Sequence, residues 1–185
     1  MTSKIEICSN ALLLIGDNPI SSFDEGESAA LAENLYDAFY DSMMSYHPWT
    51  FALKQQRLNV LSEKPDRATG FNYALQIPTD MIYLWKTNTR ANYEIIGRQM
   101  LTNDNDILAT YTYKVAETDL PASFITTMQY RLASEFAQSI TENNGNAQIY
   151  EAKFRQALSA AMAADSQQRP QRGIIDKPYL DVRNY

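Results

Sequence analysis

The stretch Tyr46-His-Pro-Trp-Thr-Phe-Ala-Leu-Lys-Gln-Gln-Arg-Leu58 is where the chain changes period. Before it, Leu31, Leu35, Phe39, Met43 and Tyr46 recur every three or four residues, the stripe of an amphipathic helix. Pro48 cannot continue that helix and biases His47 toward extended backbone. From Trp49 onward, aromatic and β-branched residues arrive in runs of strand length. A helical body gives way here to a β region.

Working toward the N-terminus, Asp17 to Gly26 is dense in turn formers, and Asp24, Glu25 and Glu27 lie where a helix's positive end favours acids. An earlier stripe, Ile5, Cys8, Leu12 and Ile15, stops at Gly16. Working toward the C-terminus, strand-like runs occupy Phe71 to Ile77, Met81 to Lys86, Tyr93 to Ile96 and Ile107 to Val115. Pro65, Gly70, Pro78, Gly97 and Asn103-Asp-Asn-Asp106 punctuate them. The missing N–H of Pro78 suits a strand end or an edge. After Pro121, Phe124, Met128, Leu132, Phe136 and Ile140 repeat every four residues. A last stripe carries Ile149 or Tyr150, then Phe154, Leu158, Ala161 and Met162.

The predicted fold is α+β and mainly helical: a four-helix body with an inserted antiparallel β meander and an extended C-terminal arm. Helices are expected at about 3–16, 25–47, 121–143 and 146–166, with the β insertion at about 49–115 inside a domain covering 1–167. Residues 168–185 form the arm. It holds Pro170, Gly173 and Pro178, a charge of +2, and the apolar anchors Ile174, Ile175, Tyr179, Leu180, Val182 and Tyr185. A partner surface suits such a segment, and folding back on its own domain suits it as well in a monomer.

With 185 residues, 45% of them apolar and 21% charged, the chain has the composition of one globular domain. No apolar run reaches membrane-span or leader length, so a soluble protein made in the cytoplasm is expected. A pI near 4.8 argues against general affinity for duplex DNA. The single cysteine allows no disulfide within the chain, and one histidine leaves triads and His-rich metal centres poorly supplied. His47 reads as a helix C-terminal residue able to cap carbonyls, and Cys8 as a small core residue.

The six glycines form no phosphate-binding cluster. The run 103–106 lacks the glycine and the distal glutamate of a calcium loop and reads as a turn. No cofactor, metal site or enzymatic activity is therefore expected. Paired carboxylates remain open by composition, because glycoside hydrolysis needs no histidine. Charge is uneven: residues 1–50 carry −7, 51–115 carry +2 and 116–167 carry −3. Opposed patches of this kind suit head-to-tail contacts between copies, or two solvated faces.

Several stretches in this order resemble the podophage head-to-tail adaptors, the tail tubular protein A family. They are Ser9-Asn-Ala-Leu-Leu-Leu-Ile-Gly16, Pro19-Ile-Ser-Ser-Phe23, the acid-led helix to Tyr46, and Trp49-Thr-Phe-Ala52 with Arg57 and Leu58. Tyr73-Ala-Leu-Gln-Ile-Pro-Thr-Asp80, Tyr93-Glu-Ile-Ile-Gly97 with Leu101-Thr102, Tyr111-Thr-Tyr113 and Leu120-Pro-Ala-Ser-Phe124 complete the set. The likeness spans nearly all of residues 5–165, and it lies in the order of the pieces more than in any one of them.

The resemblance implies a structural virion protein at the head-to-tail interface of a short-tailed bacteriophage. Such a protein forms a twelve-membered ring between portal protein and tail nozzle, lines the DNA ejection channel and offers attachment to tail fibres. It implies no catalytic motif. It also implies a C-terminal grip on the portal, and by position that role falls to Arg172, Ile174, Ile175, Tyr179, Leu180, Arg183 and Tyr185. A channel must pass double-stranded DNA without holding its phosphates, so Asp17, Asp24, Glu25 and Glu27 are the lumen-facing candidates. Two other readings compete: a head-completion connector of a long-tailed phage, and a carboxylate-dependent hydrolase of cell-wall glycan.

Overall fold

Ser3 begins the first helix, its Oγ accepting the Glu6 N–H at 3.2 Å, and α1 runs Lys4–Ile15. Gly16 ends it at φ 83°, a left-handed backbone that glycine adopts without cost. There the Gly16 and Asp17 N–H groups close on the Leu13 and Leu12 carbonyls, each at 3.1 Å. The computed structural model describes residues 2–141 and 143–168. Of the arm expected at 168–185, Gln168 caps the end of the fourth helix, and the rest, from Arg169 onward, lies outside the described residues.

The second helix, α2, spans Glu27–Tyr46, with His47 extended at its end. Its buried face is Ala29, Ala32, Tyr36, Tyr40, Met43 and Met44. The expected stripe through Leu31, Leu35 and Phe39 flanks that face half-buried, and Tyr46 is exposed. The face is turned because small alanines admit a neighbouring helix closely while two phenols fill the remaining depth. The Tyr40 hydroxyl donates to the Val115 carbonyl at 2.7 Å and accepts the Val115 N–H at 3.1 Å. One side chain thus satisfies both backbone groups of a residue buried beyond the β region.

The insertion holds seven strands among the described residues: β1 Leu53–Arg57, β2 Asn59–Val60, β3 Tyr73–Gln76, β4 Met81–Thr87, β5 Tyr93–Ile96, β6 Gln99–Thr102 and β7 Leu108–Tyr113. Every pairing is antiparallel. They form two sheets, ordered β1-β7-β4 and β2-β3-β6-β5. The meander is therefore folded over, because β7 returns to lie between β1 and β4. Leu53 faces Thr112 across β1 and β7, so the insertion enters and leaves the helical body on adjacent strands. Leu58, Leu75, Ile77, Met100, Ile107, Ala109 and Tyr111 make a small core of their own.

Two helices complete the body, α3 at Ala122–Ser139 and α4 at Asn144–Gln167. Phe124, Met128, Leu132 and Phe136 are wholly buried. Burial of each such side chain contributes about 1.5–3 kcal/mol. Gly145 lies inside the first turn of α4, whose Asn143 cap accepts the Asn146 N–H at 3.1 Å. In α4, Tyr150 is packed against the core while Ile149 faces outward. The main core joins all four helices to Trp49, Ala52, Val115 and Leu120 at the two ends of the insertion.

Candidate functional site

The junction at Pro48 also holds a buried polar cluster. Asp165, in the last turn of α4, is 6% exposed. Its carboxylate accepts the Thr50 N–H at 2.9 Å and the Thr50 hydroxyl at 2.6 Å, and His47 Nε2 lies 3.0 Å from its Oδ2. The His47 ring stands edge-on to Trp49, 5.0 Å between centroids, and the Trp49 indole N–H donates to the Met43 carbonyl at 2.9 Å.

A threonine, a histidine and an aspartate in contact invite comparison with a hydrolytic triad, but the order is wrong. A triad needs the imidazole between hydroxyl and acid, whereas here both the hydroxyl and the imidazole point at the acid. The cluster is a clasp. It fastens the end of α4 to the link between α2 and β1 in place of the carbonyl-capping role expected of His47. Gln168, the last described residue, closes on the Asp165 carbonyl through its N–H at 3.1 Å. The portal-arm candidates Arg172, Ile174, Ile175, Tyr179, Leu180, Arg183 and Tyr185 lie outside the described residues.

Sequence reading passed over Asp165, although a signal was present. Phe154, Leu158, Ala161 and Asp165 are spaced four, three and four apart, which puts a carboxylate on the buried stripe of α4. A charge there requires partners.

Three of the four acids considered for a channel lining, Asp17, Asp24 and Glu25, belong to the loop between α1 and α2, and Glu27 opens α2. Asp17, half-buried, accepts the Ser28 hydroxyl and the Asn18 N–H, each at 2.8 Å. Glu25 accepts the Ser21 N–H at 2.9 Å and its hydroxyl at 2.5 Å, and these bonds hold its carboxyl below the usual range. Asp24 accepts the Ser22 hydroxyl at 3.2 Å, and Glu27 is exposed at the start of α2. The loop is thus an acidic surface braced by its own serines.

Two further carboxylates tie elements together. Asp37 holds Lys114 at 2.7 Å and Lys4 at 3.0 Å, and these contacts depress its carboxyl while raising Lys114. Asp80 takes Lys54 at 2.8 Å and the Tyr111 hydroxyl at 3.1 Å, with the same effect on its carboxyl. An open groove of ≈ 620 Å³ between α3 and α4 contains Glu135 and Glu151, and Arg131 bridges the two at 3.4 and 3.7 Å. The Arg131 guanidinium also lies 4.3 Å from the centre of the Phe39 ring. These two acids serve as an interhelical tie. Cys8 is fully buried, and burial pushes its thiol up to about 12. No described helix is long and apolar enough to cross a membrane.

Besides Tyr46, Val60 and Tyr83, two groups of apolar side chains stand in solvent. All four residues of β5 are exposed, with Ile96 at 57%, Ile95 at 45% and Tyr93 at 40%. Leu13 at 52% and Leu14 at 37% sit in the last turn of α1, with Ile149 at 52% in α4. The Tyr150 hydroxyl donates to the Leu14 carbonyl, which brings the two helices together there. Comparison with known proteins finds no family model that matches the chain and no curated protein similar to it.

Proposed function

We propose that this protein is a structural connector: a head-to-tail adaptor that docks on a phage portal, receives the tail nozzle and surrounds the passage of packaged DNA. The observation that carries the reading is the clasp of Asp165 with Thr50 and His47. It holds the end of α4 in place, and the 17 residues that follow Gln168 in the sequence carry apolar anchors and a net charge of +2. A sequence with its own anchoring residues, following a fastened helix end, is suited to grip a second protein. The resemblance of the ordered sequence pieces to the tail tubular protein A family supports the same conclusion, as does the acidic loop, which would repel rather than retain phosphates.

The test is deletion of residues 172–185. The truncated protein is expected to keep the melting temperature of the full chain and to lose capture by portal-bearing heads in a sedimentation assay. Undiminished capture refutes the assignment of the arm, and failure of the full chain to bind such heads refutes the connector.

A further inference from the structure

We infer that the link between β2 and β3 forms a binding cleft for one nucleotide with an amino-bearing base, the base against Phe71 and Tyr73 and the phosphate between Lys64 and Arg67. Such a site lies outside the connector reading and does not depend on it. The cleft is a cavity of ≈ 330 Å³ walled by Lys64, Pro65, Arg67, Phe71, Asn72 and Tyr73. Small-ligand pockets run from about 300 to 1,000 Å³, so this one suits a single nucleotide at a time.

The chain builds it locally. Asp66 accepts the Ala68 N–H at 2.9 Å and caps a single 3₁₀ turn at Arg67–Thr69, and Gly70 at φ 75° turns the backbone so that Phe71 shares the cleft with Arg67. Lys64 and Arg67 are exposed, and neither has a carboxylate partner among the described residues. The acids of the same loop, Glu63 and Asp66, line a separate cavity of ≈ 250 Å³ with Ile96, which Lys64 also reaches. No acid walls the first cleft, so its two cations are free to take a phosphate.

Phe71 and Tyr73 are half-buried, and neither is stacked on another ring or covered by a cation among the described residues. A planar ligand ring can therefore lie against them. Asn72 selects among such rings. Its side-chain amide and its backbone N–H both donate to Asn103 Oδ1, at 2.8 and 3.0 Å, which fixes the side chain and leaves its own carbonyl oxygen as an acceptor. That oxygen suits the exocyclic amine of adenine, cytosine or guanine, which uracil and thymine lack. A phenyl phosphate or an aromatic carboxylate lacks it as well, so among planar anions the amino-bearing nucleotide is the one that engages every wall. The paired and stacked bases of a duplex are closed to the cleft, and passing double-stranded DNA is not a ligand.

The experiment is calorimetric titration of the full chain with adenosine 5′-monophosphate. Binding is expected to weaken with added salt and to exceed that of adenosine and of inorganic phosphate by about tenfold or more, with uridine 5′-monophosphate weaker than the adenine nucleotide. Lys64→Gln with Arg67→Gln, at two exposed positions, should melt as the parent does and lose about tenfold or more in affinity. If that variant melts early, the ligand series decides alone. A short single strand of deoxyadenosines that displaces the nucleotide assigns the site to unpaired bases of a strand, and one that does not assigns it to free nucleotides.

A dissociation constant for adenosine 5′-monophosphate above about 1 mM overturns the site. So does inorganic phosphate or the uridine nucleotide binding as tightly, or undiminished binding by a folded double variant.

Discussion

Replacing Asp165 by alanine tests the clasp most directly. The carboxylate accepts two hydrogen bonds from Thr50 and lies 3.0 Å from His47, at 6% exposure. Hydrogen bonds to a charged group contribute about 1.5–3 kcal/mol each, less what entering water restores. With two strong donors stranded and the third partly wetted, the loss should be about 3 kcal/mol. For a domain of this size that is a fall of about 6–12 °C in melting temperature.

Urea unfolding followed by tryptophan fluorescence in a Trp85→Phe background, which leaves Trp49 as the one indole, reads the change, because that indole packs against His47. Thr50→Val removes one of the same bonds, so the double variant should fall short of the sum of the singles by at least about 0.5 kcal/mol. A loss below about 0.5 kcal/mol for Asp165→Ala, or strict additivity with Thr50→Val, would refute the argument that this carboxylate holds α4 to the junction.

Tyr40→Phe strands both backbone groups of Val115 and should cost about 2–4 kcal/mol in denaturant unfolding; a cost under 1 kcal/mol, on the order of an exposed bond, counts against the double role. Stability should hold on a plateau and fall at both ends of the pH scale. Asp37, Asp80 and Glu25 have carboxyls lowered by their partners, so their contribution is present above the ordinary carboxylate range and is lost as pH drops below about 4. Tyr36 and Tyr40, raised by burial, and Lys54 and Lys114, raised by their aspartates, contribute below about pH 10 and lose that contribution as pH climbs further. Absorbance at 295 nm should show a late tyrosine step that coincides with loss of ellipticity, and complete ionisation of a still folded chain would contradict it. The Cys8 thiol, pushed up to about 12, should resist alkylation at pH 8 and react in proportion to added urea; rapid labelling of the native protein would show the site to be open.

Helices were legible where burial is one-sided and aliphatic. The α3 stripe from Phe124 to Phe136 reads directly as core, since its four-residue spacing and its burial coincide. On α2 the reading chose Leu31, Leu35 and Phe39 over Ala32, Tyr36 and Tyr40, because hydropathy ranks a leucine above a tyrosine and takes no account of the backbone partner that waits for the Tyr40 hydroxyl at Val115. The choice between Ile149 and Tyr150 could not be made from spacing alone, since adjacent residues serve a helical stripe equally well until a neighbour is in place.

Strands were legible singly, but their partners were not. Gln99 to Thr102 is too short and too mixed to announce itself, and it becomes β6 only because β3 and β5 lie on either side. The clasp was half visible: His47 beside Pro48 marked a helix end, but its partner is 118 positions away and no local pattern joins them.

The pairing of Leu53 with Thr112 has a consequence for how such a chain can change over time. Since β1 and β7 are neighbours, everything between them joins the helices along the chain through one two-stranded stem, and β4 rests on the main core beside it through Ile82. A lineage can lengthen, trim or exchange the rest of that module without moving a helix, provided the stem, the Ile82 packing and the Tyr40 bond at the base are kept. The helical half can then answer to one selective pressure while the β half answers to another, and the two diverge at different rates within one polypeptide.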